Sequence, residues 1–96
     1  MEGTGKLNFK NGDIYVGQFK NGYATGVGVG HYSNGNRYTG DYVKNNINGY
    51  GKYIWEDGEY YIGQWKNNLR HGKGTLYDSD GKIICKGKWL NDEFIG

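Results

Sequence analysis

Proline is absent from this chain, and cysteine occurs once, at Cys85. A lone cysteine excludes an internal disulfide and a cysteine-rich metal site, and it fits a reducing compartment. Histidine is nearly as scarce: His31 and His71 stand forty residues apart, with no carboxylate spacing that would complete a metal site. No apolar run approaches the roughly 18 residues of a membrane span, and Met1-Glu2-Gly3-Thr4-Gly5 carries neither an apolar leader nor paired arginines. The expectation is a soluble, cytoplasmic protein, with membrane or cytoskeletal association left open. Charge of one sign is lacking too. The 12 Lys and Arg and 10 Asp and Glu give a formal +2 and are scattered along the sequence, unlike the concentrated excess of a nucleic-acid binder, so no nucleic-acid partner is expected. Aliphatic residues are few, and 96 residues support one domain without a large central core.

What the chain has is glycine and aromatic rings: 19 Gly, ten Tyr, three Trp and three Phe. Glycine costs a helix interior roughly 1 kcal/mol against alanine, and Tyr and Trp favour strands, so the composition points away from a helical bundle. The glycines fall into columns. Gly3, Gly26, Gly49 and Gly72 are 23 residues apart, as are Gly5, Gly28, Gly51 and Gly74, and Gly12, Gly35, Gly58 and Gly81. A fourth column runs Gly17, Gly40 and Gly63 at that interval, then Gly87 one residue late, which places an insertion between Gly81 and Gly87. Gly96 continues the first column with that insertion carried along, and only Gly22 and Gly30 fall outside the four.

The aromatics keep the same period. Tyr15, Tyr38 and Tyr61 precede the fourth-column glycine by two, while Phe19, Tyr42, Trp65 and Trp89 follow it by two. Asn11-Gly12, Asn34-Gly35, Asp57-Gly58 and Asp80-Gly81 are short-range hairpin signals. They predict hairpin strands near 5–10 and 13–19, 28–33 and 36–42, 51–56 and 59–65, and 74–79 and 82–89. Side-chain alternation selects the turn. A two-residue turn would put Leu7 and Phe9 on the face opposite Tyr15 and Phe19, whereas a three-residue turn with glycine in a bulge gathers them, and likewise Tyr53, Trp55, Tyr61 and Trp65. The expected aromatic face surrounds Gly17, Gly40 and Gly63, whose missing side chains leave room for rings. The other face carries Lys6, Asn8, Val16, Gln18, His31, Thr39, Asp41, Lys52, Ile62 and Gln64 and is mostly polar.

A 23-residue unit reading Tyr-x-Gly-x-Trp, a loop, Gly-x-Gly and a hairpin turn resembles the MORN (membrane occupation and recognition nexus) repeat. Its best copy runs from Tyr61-Ile62-Gly63-Gln64-Trp65 to His71-Gly72-Lys73-Gly74, and the resemblance covers residues 3–96. Departures are the family's histidine, present only as His71, its loop glycine, present only as Gly22, and Cys85 in place of the repeat tyrosine. The resemblance implies an all-β, elongated, single-layer antiparallel sheet of stacked hairpins, solenoid-like, whose ends need caps. It divides one domain, residues 1–96, into units of about 1–14 (partial), 15–37, 38–60, 61–84 and 85–96 (partial). The strand near 82–90 is expected to present an open edge, a template for self-association or a neighbouring domain.

No catalytic constellation assembles. Cys85 sits in a tyrosine column and is explained by packing. Gly26-Val27-Gly28-Val29-Gly30 lacks the spacing, the Gly-Lys-Ser/Thr ending and the helix of a phosphate loop. Glu56, Asp57 and Glu59 surround a turn, as a solvated tip does. The expectation is a non-enzyme without metal or cofactor, binding a protein or peptide partner, as a helix or extended segment, or a second copy of itself. The candidate surface is the aromatic face: Phe9, Tyr15, Tyr32, Tyr38, Tyr42, Tyr53, Trp55, Tyr61, Trp65 and Trp89. An alternative is peripheral contact with acidic membrane lipid through Lys66, Arg70, Lys73, Lys82, Lys86 and Lys88. A third is an accessory region of a larger enzyme, since similar repeats accompany lipid-kinase and methyltransferase domains.

Overall fold

The computed structural model describes residues 2–96; Met1, the first residue of the expected partial unit, lies outside them. Every element is a strand: β1 (Gly3–Asn8), β2 (Ile14–Lys20), β3 (Tyr23–His31), β4 (Arg37–Val43), β5 (Asn46–Ile54), β6 (Tyr60–Lys66), β7 (Leu69–Tyr77), β8 (Ile83–Leu90) and β9 (Glu93–Phe94). Each pairs antiparallel with the next, giving one open sheet in the order β1 to β9. The molecule measures 39 × 24 × 18 Å. The all-β hairpin ladder expected from the sequence is therefore present.

Two kinds of turn alternate. At the Asn-Gly and Asp-Gly sites, Phe9 N–H donates to the Asp13 carbonyl (2.9 Å) and Gly12 N–H to the Phe9 carbonyl (3.1 Å), with Gly12 at φ 98°. The same pair of bonds recurs at Tyr32–Asn36, Trp55–Glu59 and Asp78–Lys82. This is the three-residue turn with a glycine bulge that side-chain alternation required. Leu7 accordingly faces Tyr15, and Tyr53 faces Tyr61, on one side of the sheet.

The second turn corrects the reading of a loop there. β3, β5 and β7 begin at Tyr23, Asn46 and Leu69, five residues earlier than expected, because the chain reverses in two residues: Asn21-Gly22, Lys44-Asn45, Asn67-Asn68 and Asn91-Asp92. All eight residues have positive φ, from 46° to 81°, as a type I′ turn demands. Asn45, Asn68 and Asp92 stand where Gly22 stands and add an acceptor. Asn45 N–H donates to the Ala24 carbonyl (2.9 Å) while the Asn45 Oδ1 accepts the Ala24 N–H (2.8 Å). Asn68 with Ile47 and Asp92 with Arg70 repeat the exchange. The departure from a loop glycine thus becomes a brace between consecutive hairpin tips.

Each interior repeat also carries a bulge. The registers slip between Gly17 and Phe19, Gly40 and Tyr42, and Gly63 and Trp65, and the opposing strands absorb the excess at Gly26, Gly49 and Gly72. The bulge detaches a backbone donor, which a side chain collects. Gln18, Asp41 and Gln64 accept the N–H of Val27 (2.8 Å), Tyr50 (3.0 Å) and Lys73 (2.9 Å). The inserted residue of the last unit is absorbed likewise: Leu76 faces Cys85 and Tyr77 faces Ile83, leaving Ile84 as the extra residue of a bulge. Cys85 thereby keeps the tyrosine column.

The core is a line of rings. Tyr15, Phe19, Tyr38, Tyr42, Tyr61, Trp65 and Trp89 are buried together with Ala24 and Ile47. Edge-to-face contacts run unbroken from Phe19 through Tyr15, Tyr42, Tyr38, Trp65, Tyr61 and Trp89 to Phe94, with centroids 4.8 to 5.7 Å apart. Each tyrosine touches the aromatic residue of its own unit and that of the next, so the ladder is cemented by nearest-neighbour contacts. The Tyr15, Tyr38 and Tyr61 hydroxyls donate to the carbonyls of Gln18 (2.8 Å), Asp41 (3.1 Å) and Gln64 (2.9 Å). These rings cross the neighbouring strand at Gly28, Gly51 and Gly74, where a β-carbon would strike the ring. The room expected around Gly17, Gly40 and Gly63 is used as well: a β-carbon there would meet the hydroxyl of Tyr15, Tyr38 or Tyr61 and the backbone of the second-column glycines.

Finally, the edge expected open near 82–90 is partly covered. β9 pairs Phe94 with Trp89 and Glu93 with Leu90, and Ile95 N–H donates to the Lys88 carbonyl at 2.9 Å. The outer edge of β8 before Lys88 has no strand partner among the described residues.

Candidate binding surface

The ten rings assigned to the aromatic face divide by depth. Tyr15, Tyr38, Tyr42, Tyr61, Trp65 and Trp89 are the core and offer a partner almost no surface; Tyr38 and Tyr61 are 0% exposed. Phe9 is 47% exposed, and Tyr32, Tyr53 and Trp55 are half-buried. These four lie toward the three-residue turns, with Tyr32 stacked on Tyr53 (5.8 Å) and Tyr53 against Trp55 (4.9 Å). Sequence alternation located the face but not the division, because it assigns a side and carries no information on depth.

A cleft of about 220 Å³ opens beside this strip, lined by Phe9, Ile14, Tyr32, Tyr42, Asn45 and Asn68 among others. Its origin is two small residues in otherwise filled columns. Gly30 stands in register where Leu7, Tyr53 and Leu76 stand, and Ala24 where Ile47 and Arg70 stand. A β-carbon on Gly30 would lie 2.5 Å from the Tyr42 hydroxyl and 3.1 Å from that of Tyr32, so the rings use the vacated space. Burial, with the hydrogen bond to Tyr32, keeps the Tyr42 phenol neutral far above its ordinary range, and burial also raises Tyr32. Gly30 is one of the two glycines outside the columns, a signal that the repeat is interrupted there.

Three stretches, residues 15–37, 38–60 and 61–83, match the family model of the MORN repeat. The chain belongs to the MORN repeat family. A search of curated proteins finds no match. The MORN repeat is a non-catalytic module, and in this array its period accounts for the glycine columns, the ring ladder and both turn types.

The six basic residues grouped for lipid contact do not share one surface of the MORN sheet. Lys73, Lys86 and Lys88 lie together on the polar face, Lys73 directly opposite Lys88, and Lys66 ends β6 on that same side. Lys82 lies at a turn beside Asp78 and Asp80, its N–H donating to Asp78 Oδ1 at 2.9 Å. Arg70 is on the aromatic face, in the column of Ala24 and Ile47. Its guanidinium binds the Asp92 carboxylate (2.7 Å) and carbonyl (3.0 Å) and lies over the Trp89 ring at 4.5 Å. Arg70 and Lys73 are three residues apart on β7 and so point to opposite faces, a separation that grouping by nearness in sequence overlooks.

The scattered charge of the sequence also proves segregated. Lys6, Arg37, Lys52, Lys73, Lys86 and Lys88 are on the polar face, whereas Asp13, Glu56, Asp57, Glu59, Asp78 and Asp80 crowd the three-residue turns. His31 is exposed, and the His71 Nδ1 is buried without a hydrogen-bond partner. No group of three His, Cys, Asp or Glu side chains among the described residues is placed to hold a metal ion.

Proposed function

We propose that this MORN array is a non-catalytic protein-binding module that docks an apolar helix or extended peptide along Phe9, Tyr32, Tyr53 and Trp55. The observation supporting this reading is the junction of a half-exposed ring strip with the Gly30 cleft, the place where the array leaves two of its own side-chain columns unfilled. Tyr and Trp bring large, rigid contact area to an interface and dominate binding energy when a partner covers them. The cleft suits a single apolar anchor, and the flanking rings suit the rest of a short amphipathic segment.

Selection from a random peptide library tests the reading. Enriched peptides are expected to carry large apolar anchors, to bind without loss at high salt, and to weaken at least about tenfold against Trp55→Ala or Tyr32→Ala. Enriched peptides indifferent to both substitutions would sink the proposal.

A further inference from the structure

The polar face is a second surface, and its charge is not balanced within the chain. Cross-strand register places Lys6, Arg37, Lys52, Lys73, Lys86 and Lys88 on it. Of the carboxylates on this face, Asp41 already accepts the Tyr50 N–H at 3.0 Å, and Glu93, opposite Leu90, forms no ion pair among the described residues. Among the described residues the ion pair is Arg70 with Asp92, on the aromatic side, so none of these six cations is held in an ion pair. Lys73 directly opposite Lys88 works against the sheet, because like charges facing across a strand pair are destabilising. Beside them lies a shallow depression of about 420 Å³ over Gly63, Gly74 and Gly87, bordered by Tyr50, Lys73, Lys86 and Lys88.

We infer that this face docks an acidic, extended polypeptide segment, with carboxylates seated over Lys73, Lys86 and Lys88. Charge complementarity fixes the sign of the partner, and shape fixes its form. Neighbouring strands rotate by roughly 20–25°, so cations spread from β1 to β8 address different directions. A linear polyanion follows such a twisted strip, while a flat membrane meets only part of it. Single-stranded nucleic acid needs open ring faces for its bases. Beside these lysines Tyr50 is open, being 59% exposed, but Tyr60 is covered by Tyr77 on one face at 4.7 Å and by the Lys52 Nζ at 4.7 Å from the strand on the other side, and a single open ring cannot stack a run of successive bases.

The test is fluorescence anisotropy with a labelled peptide of alternating Glu and Ser, beside an oligouridylate of equal length and phosphatidylcholine vesicles containing phosphatidylserine. The peptide is expected to bind at low salt and to weaken as salt rises. Lys73→Gln, Lys86→Gln and Lys88→Gln together, all at exposed positions, should reduce affinity about tenfold. A control with the same change in net charge, Lys10→Gln, Lys44→Gln and Lys82→Gln at the turns, should stay within about twofold. Absence of peptide binding at low salt would overturn the inference. So would an equal loss in the control, or tighter binding to the oligonucleotide or the vesicles.

Discussion

The two faces of this sheet come from the same 23-residue period and use it in opposite ways. On the aromatic face every repeated group finds its partner inside the ladder: rings pack edge to face, hydroxyls reach carbonyls, and the one guanidinium is held by Asp92. On the polar face packing is local, with Tyr60 stacked on Tyr77 beneath Lys52, and Lys73 faces Lys88. The first face therefore carries the core of the fold, and the second adds the bulge contacts of Gln18, Asp41 and Gln64. Recognition is left to the polar face and to the fringe of the aromatic one, and the comparison can be broken by perturbing each side separately.

The largest effect should come from ionising the buried phenols. Burial raises the pKa of Tyr15, Tyr38, Tyr42 and Tyr61, and Tyr61 is pushed up to about 12, with the nearby Arg70 charge drawing it back. A phenol that stays neutral in the fold but ionises in the unfolded chain leaves the folded state holding more protons, so stability falls as pH rises. Stability should be full below pH 10, the ordinary tyrosine value, and lost progressively as pH climbs from there towards 12. Urea midpoints by circular dichroism across that range check this, and Tyr61→Phe should flatten the decline. An unfolding midpoint flat to pH 12 would show that the phenols do not carry the core.

Next in size is Trp65→Ala. The ring touches Tyr38, Tyr53 and Tyr61, and its Nε1 donates to the Gly51 carbonyl at 3.3 Å. Its removal should cost about 3–5 kcal/mol, whereas Trp55→Ala, on the exposed fringe, should cost about 1 kcal/mol. Equal losses by denaturant unfolding would erase the distinction between core and fringe. Gly51→Ala should follow at about 1–3 kcal/mol, an overpacking cost, because the new β-carbon meets the Tyr38 ring and that ring is fully enclosed. A neutral Gly51→Ala would mean that the ring has room to move.

Much of the fold was legible because glycine and aromatic columns repeat in register, and side-chain alternation alone selected the three-residue turn that places Leu7 with Tyr15. Three features were not legible, each for a physical reason. The two-residue turns escaped because the Asn-Gly signal occurs in one of them alone, Asn21-Gly22, while Lys44-Asn45, Asn67-Asn68 and Asn91-Asp92 carry no glycine, although Asn tolerates positive φ. β9 is two residues long and exists only through its pairing with Trp89 and Leu90. The surface was misjudged because depth and charge segregation are properties of the assembled sheet. The even scatter of 12 cations and 10 anions along the chain resolves into a mostly basic face and a mostly acidic rim only when strands are laid side by side.

The smallest effect is the most discriminating for the polar face. Lys88→Glu would turn the Lys73 pair from like to opposite charges across β7 and β8, and such a pair contributes roughly 0.2–1 kcal/mol. The substitution should therefore raise stability slightly, and the gain should shrink at high salt as screening removes both the old repulsion and the new attraction. A face whose charges serve the fold would place opposite charges, not like ones, across a strand pair. A small, salt-sensitive gain would mean that the native pairing is maintained at a cost to the fold, as expected if Lys88 serves a partner. A loss of stability would instead make Lys88 a structural residue and remove the energetic contrast between the two faces.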